Sequence, residues 1–319
     1  MENNPIRLRT VFMGTSSFSH LILEKLLEAG YNIVSVYTQP DKKTGRKQEL
    51  SESSVKILAE TKKLPVKQIA RFDEEAILDL ESQKPDLIIV VAYGKILPEK
   101  VLDIPGFGAI NIHASLLPKF RGPSPVQNAI LNGDKELGTT IMLMDEGIDS
   151  GDILAQDKLT IREETLLPEA MEKLAELSSR LLLKTLPLWV ERKITPKKQD
   201  ASQATFCQLI ERSDGHIIWS DGATEIFNRY RAFFPWPGIF SFWETEEGRL
   251  RIKMEKVSPS PISPEEFREG QVFETEGNIL VKTGRGSLIL HRVQPEGKRS
   301  MEISEFMNGY GKFVGTVLK

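Results

Sequence analysis

The sequence predicts an α/β protein in which a doubly wound, mostly parallel sheet is followed by a smaller, OB-like β-barrel. Two observations support this prediction. Up to about residue 190, short apolar runs alternate with segments of helical spacing, which is the pattern of strand–helix–strand units in a parallel sheet. Beyond about residue 205, five short β-rich segments follow one another between turn residues, as in small antiparallel barrels.

In the first part, apolar or alternating runs predict strands, and apolar residues that recur every three or four positions predict helices. The predicted strands lie over 8–13, 32–38, 65–69, 86–92, 109–113, 139–144 and 153–159. The predicted helices lie over 18–29, 53–63, 73–83, 98–102, 126–131 and 165–186. The run over 86–92 is apolar after its first residue, as expected of a central strand that is covered on both faces.

The stretch over 191–205 is polar and contains Pro196, which predicts a linker. One helix is then predicted over 223–233. The β-rich segments of the second part lie over 239–243, 250–257, 271–274, 279–283 and 287–293. We therefore expect a first domain over 1–190, a linker over 191–205 and a second domain over 206–319.

Composition excludes several classes of protein. The 319 residues carry a formal net charge of −3, so nucleic acid could bind only through local basic patches. The single cysteine, Cys207, excludes an intramolecular disulfide and a cysteine metal cluster, which fits a reducing cytoplasm. The start lacks a signal-peptide pattern and no apolar run approaches the ~20 residues that span a bilayer, so we expect a cytoplasmic protein that does not bind membranes.

Asn111 and His113 end the strand predicted over 109–113. Being two residues apart, they point to the same face, at the sheet edge where open α/β sheets bind their ligands. An amide and an imidazole there could bind a developing negative charge and move a proton, although they could also simply cap neighbouring loops.

An acidic turn over 145–152 could add a carboxylate that orients the ring of His113. The residues alone do not choose among Asp145, Asp149 and Asp152. Each of them could equally be part of a solvated turn. The sequence therefore predicts a carboxylate near the imidazole without saying which residue supplies it.

The loop that follows His113, Ser115-Leu116-Leu117-Pro118, could pack its leucines inward or line a pocket for a planar ligand. Arg121-Gly122 could form a turn or contact an anion. The first strand ends in Gly14-Thr15-Ser16-Ser17, which is not the G-x-G-x-x-G pattern of nicotinamide-binding proteins. We find no cluster of cysteine, histidine and aspartate with the spacing of metal ligands.

The basic loop, Lys42-Lys43-Thr44-Gly45-Arg46-Lys47, places four cations within six residues after the second predicted strand. Such runs are usually solvated loop tips. This loop leaves the same sheet edge as Asn111 and His113, however, and a basic loop beside an active site suits a polyanionic substrate.

Together these motifs resemble the folate-dependent formyltransferases. The motifs that belong to the whole family are Asn111-x-His113, Ser115-Leu116-Leu117-Pro118, Arg121-Gly122 and Asp149. The basic loop, the segment Pro235-Trp236-Pro237 and the predicted C-terminal barrel narrow the resemblance to the members that formylate methionyl-tRNA. The resemblance covers nearly the full length and implies a Rossmann-like catalytic domain of the formyltransferase type.

The resemblance implies formyl transfer from 10-formyltetrahydrofolate to the α-amino group of methionine on initiator methionyl-tRNA, for translation initiation, without a metal. By this resemblance, which selects Asp149 where spacing did not, the catalytic residues are Asn111, His113 and Asp149. The residues that it places against the folate are Ser115, Leu116, Leu117 and Pro118. The residues that it assigns to tRNA binding are Lys42, Lys43, Arg46 and Lys47. The C-terminal barrel would hold more of the tRNA, and we expect a monomer.

The chain departs from the family pattern at two places. Family members commonly have Gly-Thr-Pro-Asp-Phe where this chain has Gly14-Thr15-Ser16-Ser17-Phe18, so any contact from that acid is lost. The basic loop is followed by Glu49 and Glu52, so its grip on tRNA would be weaker than in more basic relatives.

Three other functions fit less of the sequence. A formyltransferase that acts on a sugar amine or a glycinamide-type amine would share the chemistry but would not need a barrel that holds tRNA. A nucleic-acid-binding protein with a vestigial catalytic domain would not need the catalytic residues. A nicotinamide dehydrogenase would need the glycine pattern that is missing.

Overall fold

The structure, a computed structural model, describes residues 5–44, 49–246 and 248–319. The chain divides into two compact units. The first unit takes the described residues up to 126, then 136–161 and 169–208. The second unit takes 127–135, 162–168 and 209–319. The domain limits expected from the sequence, 190 and 206, remain a prediction.

The described residues up to 190 form nine strands and six α-helices. The strands are β1 (Thr10–Gly14), β2 (Ile33–Thr38), β3 (Lys42–Thr44), β4 (Glu49–Ser51), β5 (Val66–Gln68), β6 (Leu87–Val91), β7 (Ala109–His113), β8 (Glu136–Leu143) and β9 (Ile153–Thr160). The helices are α1 (Ser17–Glu28), α2 (Ser54–Thr61), α3 (Glu74–Ser82), α4 (Glu99–Leu102), α5 (Pro125–Leu131) and α6 (Leu167–Val190).

Seven of these strands form one sheet in the order β5-β2-β1-β6-β7-β8-β9. The neighbours from β5 to β7 pair in parallel, whereas β8 and β9 are added antiparallel. Every residue of β1, β6 and β7 is buried, as expected of central strands. The predicted doubly wound, mostly parallel sheet is confirmed, and it brings the carboxyl ends of β1, β6 and β7 to one edge.

The departure at Ser16-Ser17 leaves a well-capped helix. Ser16 Oγ accepts a hydrogen bond from Ser19 N at 3.2 Å and so caps the N-terminus of α1. Ser19 Oγ in turn donates to Val91 O at 2.6 Å, which ties the helix start to the end of β6. Gly14 permits this close approach, because a Cβ there would lie 2.7 Å from the Cβ of Ser19.

The basic loop begins as a short hairpin that the sequence did not predict. β3 and β4 pair antiparallel, with Lys43 opposite Leu50. Asp41 lies just before β3 and accepts hydrogen bonds from Lys56 Nζ and Gln68 Nε2, both at 2.7 Å. Residues 45–48 lie outside the described residues.

The second unit contains an antiparallel sheet and two further helices. Its strands are β10 (Ile239–Thr245), β11 (Gly248–Ser260), β12 (Val272–Thr275), β13 (Asn278–Lys282), β14 (Ser287–Pro295) and β15 (Met301–Glu302). Its helices are α7 (Ala223–Phe233) and α8 (Ile303–Gly309). The strand order is β10-β11-β14-β13-β12, with β15 paired to β14. The sequence predicted the first five strands and α7 but neither β15 nor α8.

The C-terminal residues pair with both edges of this sheet. Lys319 O accepts from Phe242 N in β10 at 2.8 Å, and Thr316 O accepts from Val272 N in β12 at 2.8 Å. Bridging both edges with one segment closes the sheet, because no long edge is then left unpaired at that point. The closure supports the small barrel predicted from the sequence.

A buried arginine of α7 contacts the segment 162–168 within the second unit. Arg231 is 4% exposed; its Nη2 donates to Asn228 Oδ1 at 2.6 Å and its Nη1 donates to Thr165 O at 3.3 Å. Burial lowers the pKa of the Arg231 guanidinium from its ordinary value.

Among the described helices, none has the length and apolar character to cross a membrane.

Candidate active site

Asn111 and His113 lie where the sequence placed them, at the carboxyl end of β7. Both side chains are buried, with residue exposures of 9% and 6%. They share one face of the strand because they are two residues apart. The antiparallel neighbour β8 sets Met142 opposite Asn111 and Thr140 opposite His113.

The acidic turn after β8 brings Asp149 to these two side chains. Asn111 Nδ2 donates to Asp149 Oδ1 at 3.3 Å, and His113 Nδ1 lies 3.6 Å from Asp149 Oδ2. Gly122 N donates to the same Oδ2 at 2.8 Å. Asp145, in contrast, binds within its own turn, where it accepts from Ser150 Oγ at 2.8 Å. We refer to Asn111, His113 and Asp149 as the trio.

The imidazole of His113 is held at one nitrogen and faces the carboxylate with the other. Its Nε2 lies 2.9 Å from Phe120 O, and its Nδ1 lies 3.6 Å from Asp149 Oδ2. A carbonyl oxygen only accepts, so the hydrogen of the first contact lies on Nε2. The hydrogen bond to Phe120 O therefore sets the orientation of the ring and directs Nδ1 at Asp149.

One member of the trio and two residues near it have left-handed backbone conformations. Phe120 has φ +58°, Gly122 has φ +112° and Asp149 has φ +49°. For residues with a side chain this conformation is costly, and it persists where the surrounding contacts hold it. At Gly122 a Cβ would also collide with the Cys207 carbonyl oxygen. Such conformations are typical of functional sites.

The loop Ser115–Pro118 is fixed from below by Thr140. Thr140 Oγ1 donates to Ser115 O at 2.6 Å and accepts from Leu117 N at 3.1 Å. Gln156 Nε2 donates to Leu117 O at 2.8 Å. Ser115 and Leu117 are buried, whereas Leu116 and Pro118 are half-buried. Leu117 thus packs inward, as one of the two alternatives expected, whereas a pocket for a planar ligand remains a prediction.

Arg121 and the lone cysteine lie behind the trio. Arg121 is 7% exposed, and its Nη2 donates to Gln199 Oε1 at 2.8 Å. Cys207 Sγ donates to Arg121 O at 3.2 Å, and burial raises the pKa of the Cys207 thiol. No group of three or more metal-ligating side chains is found in the described part of the chain.

The cations of the basic loop are only partly within the described residues. Lys42 is exposed at the start of β3. Lys43 pairs in the hairpin through its backbone. Arg46 and Lys47 lie outside the described residues, so the role of these four cations remains a prediction.

Two family models match the chain. The formyl transferase model matches residues 8–186, and the model of the formyl transferase C-terminal domain matches residues 209–311. Methionyl-tRNA formyltransferase from Caldanaerobacter subterraneus subsp. tengcongensis is 41% identical, over 98% of this chain and 100% of that protein. The chain belongs to the methionyl-tRNA formyltransferase family. The methionyl-tRNA formyltransferase from Caldicellulosiruptor saccharolyticus is 42% identical, over 97% and 99% of the two chains.

Solved structures share the fold of this family member at low identity. HypX from Aquifex aeolicus matches with a TM-score of 0.64 and 16% identity, over 96% of this chain and 50% of that one. An N-formyltransferase from Helicobacter canadensis, solved with folinic acid and dTDP-3-aminofucose, matches with a TM-score of 0.63 and 18% identity, over 89% and 98%. These structures show the fold alone; the two family models and the relatives at 41% and 42% identity confirm the family resemblance expected from the motifs.

Three residues that support the site were missed from the sequence. Thr140, Gln156 and Gln199 bind the Ser115–Pro118 loop or the acidic turn through side-chain hydrogen bonds. Thr140 follows Thr139 in β8, and threonines are ordinary residues of a strand. Gln199 lies in a polar stretch without periodicity. Neither has a local sequence signal, because its role depends on contacts with residues far along the chain.

Proposed function

We propose that this chain transfers the formyl group of 10-formyltetrahydrofolate to the α-amino group of methionine on initiator methionyl-tRNA. The observation that carries the proposal is the convergence of the trio at the carboxyl edge of the sheet, in a chain of the methionyl-tRNA formyltransferase family. We further propose that residues 1–190 are catalytic, that 191–205 link the domains, and that 206–319 bind tRNA.

The reaction needs donors for one oxygen and a route for one proton. The methionine amine, as free base, attacks the formyl carbon; the new C–N bond forms, the bond to N10 of the folate breaks, and the amine proton ends on N10. Negative charge grows on the formyl oxygen as the amine attacks. Preorganised hydrogen-bond donors aimed at that oxygen lower the barrier most.

Asn111 and His113 are suited to supply those donors. One N–H of the Asn111 amide is directed at Asp149, which leaves the second N–H of the same group for the formyl oxygen. The 3.6 Å between His113 Nδ1 and Asp149 Oδ2 is longer than a hydrogen bond, so a hydrogen on Nδ1 is not taken up by the carboxylate and could be donated to the formyl oxygen. Loss of one such donor typically costs ~3 kcal/mol of barrier, or about a hundredfold in rate.

Asp149 would orient the other two members and accept the amine proton through a water molecule. Its carboxylate is itself fixed by the Gly122 N–H at 2.8 Å. The trio also fits the formyl carbonyl chemically, since it offers an amide and an imidazole as donors and one carboxylate as proton acceptor. Placing amine and formyl group together would supply much of the remaining acceleration.

We propose different tasks for the four loop residues expected to meet the folate. Ser115 and Leu117 are buried and hold the loop, with Ser115 Oγ donating to Lys119 O at 2.6 Å. Leu116 and Pro118 are half-buried and are the side chains against which the folate rings would lie. The hairpin at the basic loop would bind tRNA phosphates through its cations, and the protein would act as a monomer.

The test is transfer of labelled formyl from 10-formyltetrahydrofolate to methionyl-tRNA by the purified chain. We expect turnover on methionyl initiator tRNA and at least a hundredfold loss in the Asp149→Ala variant. The control variant is Asp145→Ala, which removes an acid of the same turn that does not face the trio. Faster transfer to a sugar-nucleotide amine than to methionyl-tRNA, or none to either, would refute the proposal.

A further inference from the structure

The segment from Lys197 to Cys207, hereafter the clamp segment, pairs with two parts of the candidate active site, one beside the acidic turn and one at Arg121. Lys197 exchanges two backbone hydrogen bonds with Ile153, at 2.8 and 2.9 Å, next to the acidic turn. At the other end, Arg121 N donates to Thr205 O and Cys207 N donates to Arg121 O, both at 2.8 Å. The clamp segment therefore connects the acidic turn with Arg121-Gly122.

Gln199 uses its whole side-chain amide inside this connection. Its Nε2 donates to Asp149 O and to Gly151 O, both at 2.8 Å. Its Oε1 accepts from Arg121 Nε at 3.2 Å and from Arg121 Nη2 at 2.8 Å. Because carbonyls only accept and a guanidinium only donates, this orientation of the amide is the one that satisfies all four partners.

The residue held in this way is the one whose backbone needs support. Asp149 has φ +49°, a conformation that neighbouring contacts must maintain. Its carboxylate lies 3.3 Å from Asn111 Nδ2 and 3.6 Å from His113 Nδ1, so a small rotation of the turn would change both distances. A misplacement of about 1 Å at a reacting group can cost about a hundredfold in rate.

We propose that Gln199 is a positioning residue: its amide fixes the acidic turn so that the Asp149 carboxylate faces the other two members of the trio. The buried Arg121 guanidinium is the anchor, since it is 7% exposed and directs two N–H groups at the amide oxygen. The proposal rests on the proposed function for its kinetic test and on geometry alone for its spectroscopic test.

The first test is the Gln199→Leu variant, which keeps similar volume and removes all four hydrogen bonds. We expect kcat to fall about a hundredfold, with KM for 10-formyltetrahydrofolate and for methionyl-tRNA within about threefold of wild type. The matched control is Gln203→Leu, because Gln203 is exposed in the same segment and its side chain donates to Asp200 Oδ2, within the segment itself. An unchanged kcat in the Gln199 variant would overturn the proposal.

The second test asks whether the effect passes through Asp149. In an Asp149→Ala background, Gln199→Leu should lower kcat by less than about twofold more, because nothing remains to be positioned. If the two losses multiply, Gln199 acts on the fold or on another group, and the proposal is wrong.

A second variant, Gln199→Glu, keeps the proposal testable if the leucine variant folds poorly. It keeps an acceptor for Arg121 but places a carboxylate against the carbonyl oxygens of Asp149 and Gly151. We expect this variant to fold and to lose kcat. If neither variant folds, Gln199 serves the fold and the proposal is overturned.

A third test measures the surroundings of His113 directly and needs no catalytic activity. It uses the NMR ring signals of ¹³C-labelled histidine; the His113→Gln variant identifies which of the four histidines gives the His113 signals. Gln199→Leu should move the His113 signals and Gln203→Leu should not; unmoved signals would overturn the proposal, whereas an inactive wild type would count against the proposed function alone.

Discussion

Thr140→Val is the substitution whose cost the structure defines most closely. Thr140 is fully buried in β8 and holds the loop through its hydroxyl, which donates to Ser115 O and accepts from Leu117 N. Valine has the same shape but no hydroxyl. The substitution therefore leaves the packing of β8 nearly unchanged while two buried backbone groups lose this partner.

The magnitude follows from those two groups. Ser115 and Leu117 are 4% and 3% exposed, so water cannot easily replace the hydroxyl. A buried group that loses its partner costs about 1–3 kcal/mol, which gives about 2–6 kcal/mol for the pair. For a unit of this size 1 kcal/mol corresponds to about 2–4 °C, so we expect the melting temperature to fall by about 4–24 °C.

Loss of the Thr140 hydroxyl should also weaken the binding of 10-formyltetrahydrofolate. A loosened Ser115–Pro118 loop must be ordered again on binding, so we expect KM for 10-formyltetrahydrofolate to rise about tenfold while KM for tRNA stays unchanged. Calorimetry and steady-state kinetics measure the two effects. The control is Thr185→Val, a buried threonine whose hydroxyl bonds only to its own helix at Leu181 O. Equal melting temperatures and equal KM values for the two variants would refute the reasoning.

Three further predictions test other parts of the account. Gly122→Ala should lower kcat at least tenfold, because the added Cβ meets the Cys207 carbonyl and shifts the Gly122 N–H that holds Asp149. The control is Gly106→Ala, which should behave as wild type in the same assay because the space around Gly106 is open. Replacing the four cations of the basic loop by glutamine should weaken tRNA binding and reduce the slope of log K against log salt by about 3–4, measured by filter binding. The control variant replaces four exposed lysines of the first unit, for which both affinity and slope should stay unchanged; equal effects in the two variants would show that the loop has no special role. These control residues are Lys62, Lys100, Lys173 and Lys184. Hydrogen bonds from Lys56 and Gln68 hold the pKa of the Asp41 carboxyl below its ordinary value. The contribution of Asp41 to stability is therefore present above about pH 4 and is lost as the pH falls through the lowered pKa. The melting temperature of Asp41→Asn should decline less than that of wild type between pH 5 and 2.5, and parallel curves would contradict this.

Apolar patterning was sufficient to predict the framework of this fold. The strand over 109–113 and the helix over 223–233 coincide with β7 and α7, because each is an uninterrupted periodic pattern that ends at turn residues. The hairpin β3–β4 was missed, since its strands are three residues long and contain one apolar residue, Leu50, so they show no alternation. β15 and α8 were missed because they are short and lie after the last apolar run.

The candidate site was predictable only where its residues lie on one element. Asn111 and His113 share a strand, so period two was enough to place them on one face. The choice of Asp149 needed the family resemblance, because which acid of the turn faces the imidazole depends on a tertiary contact. Gln199 could not have been found in the sequence, since its three partner residues lie 48 to 78 residues away.

The central claim is that Asn111, His113 and Asp149 act as one unit on one reacting carbon. Single-turnover rates of formyl transfer, measured by rapid quench for each alanine variant and for the triple variant, test this claim most directly. The account predicts about a hundredfold or greater loss for each single variant, unchanged tRNA affinity, and a triple variant little slower than the slowest single one. Losses that multiply across the three positions, or wild-type rates in any single variant, would contradict it.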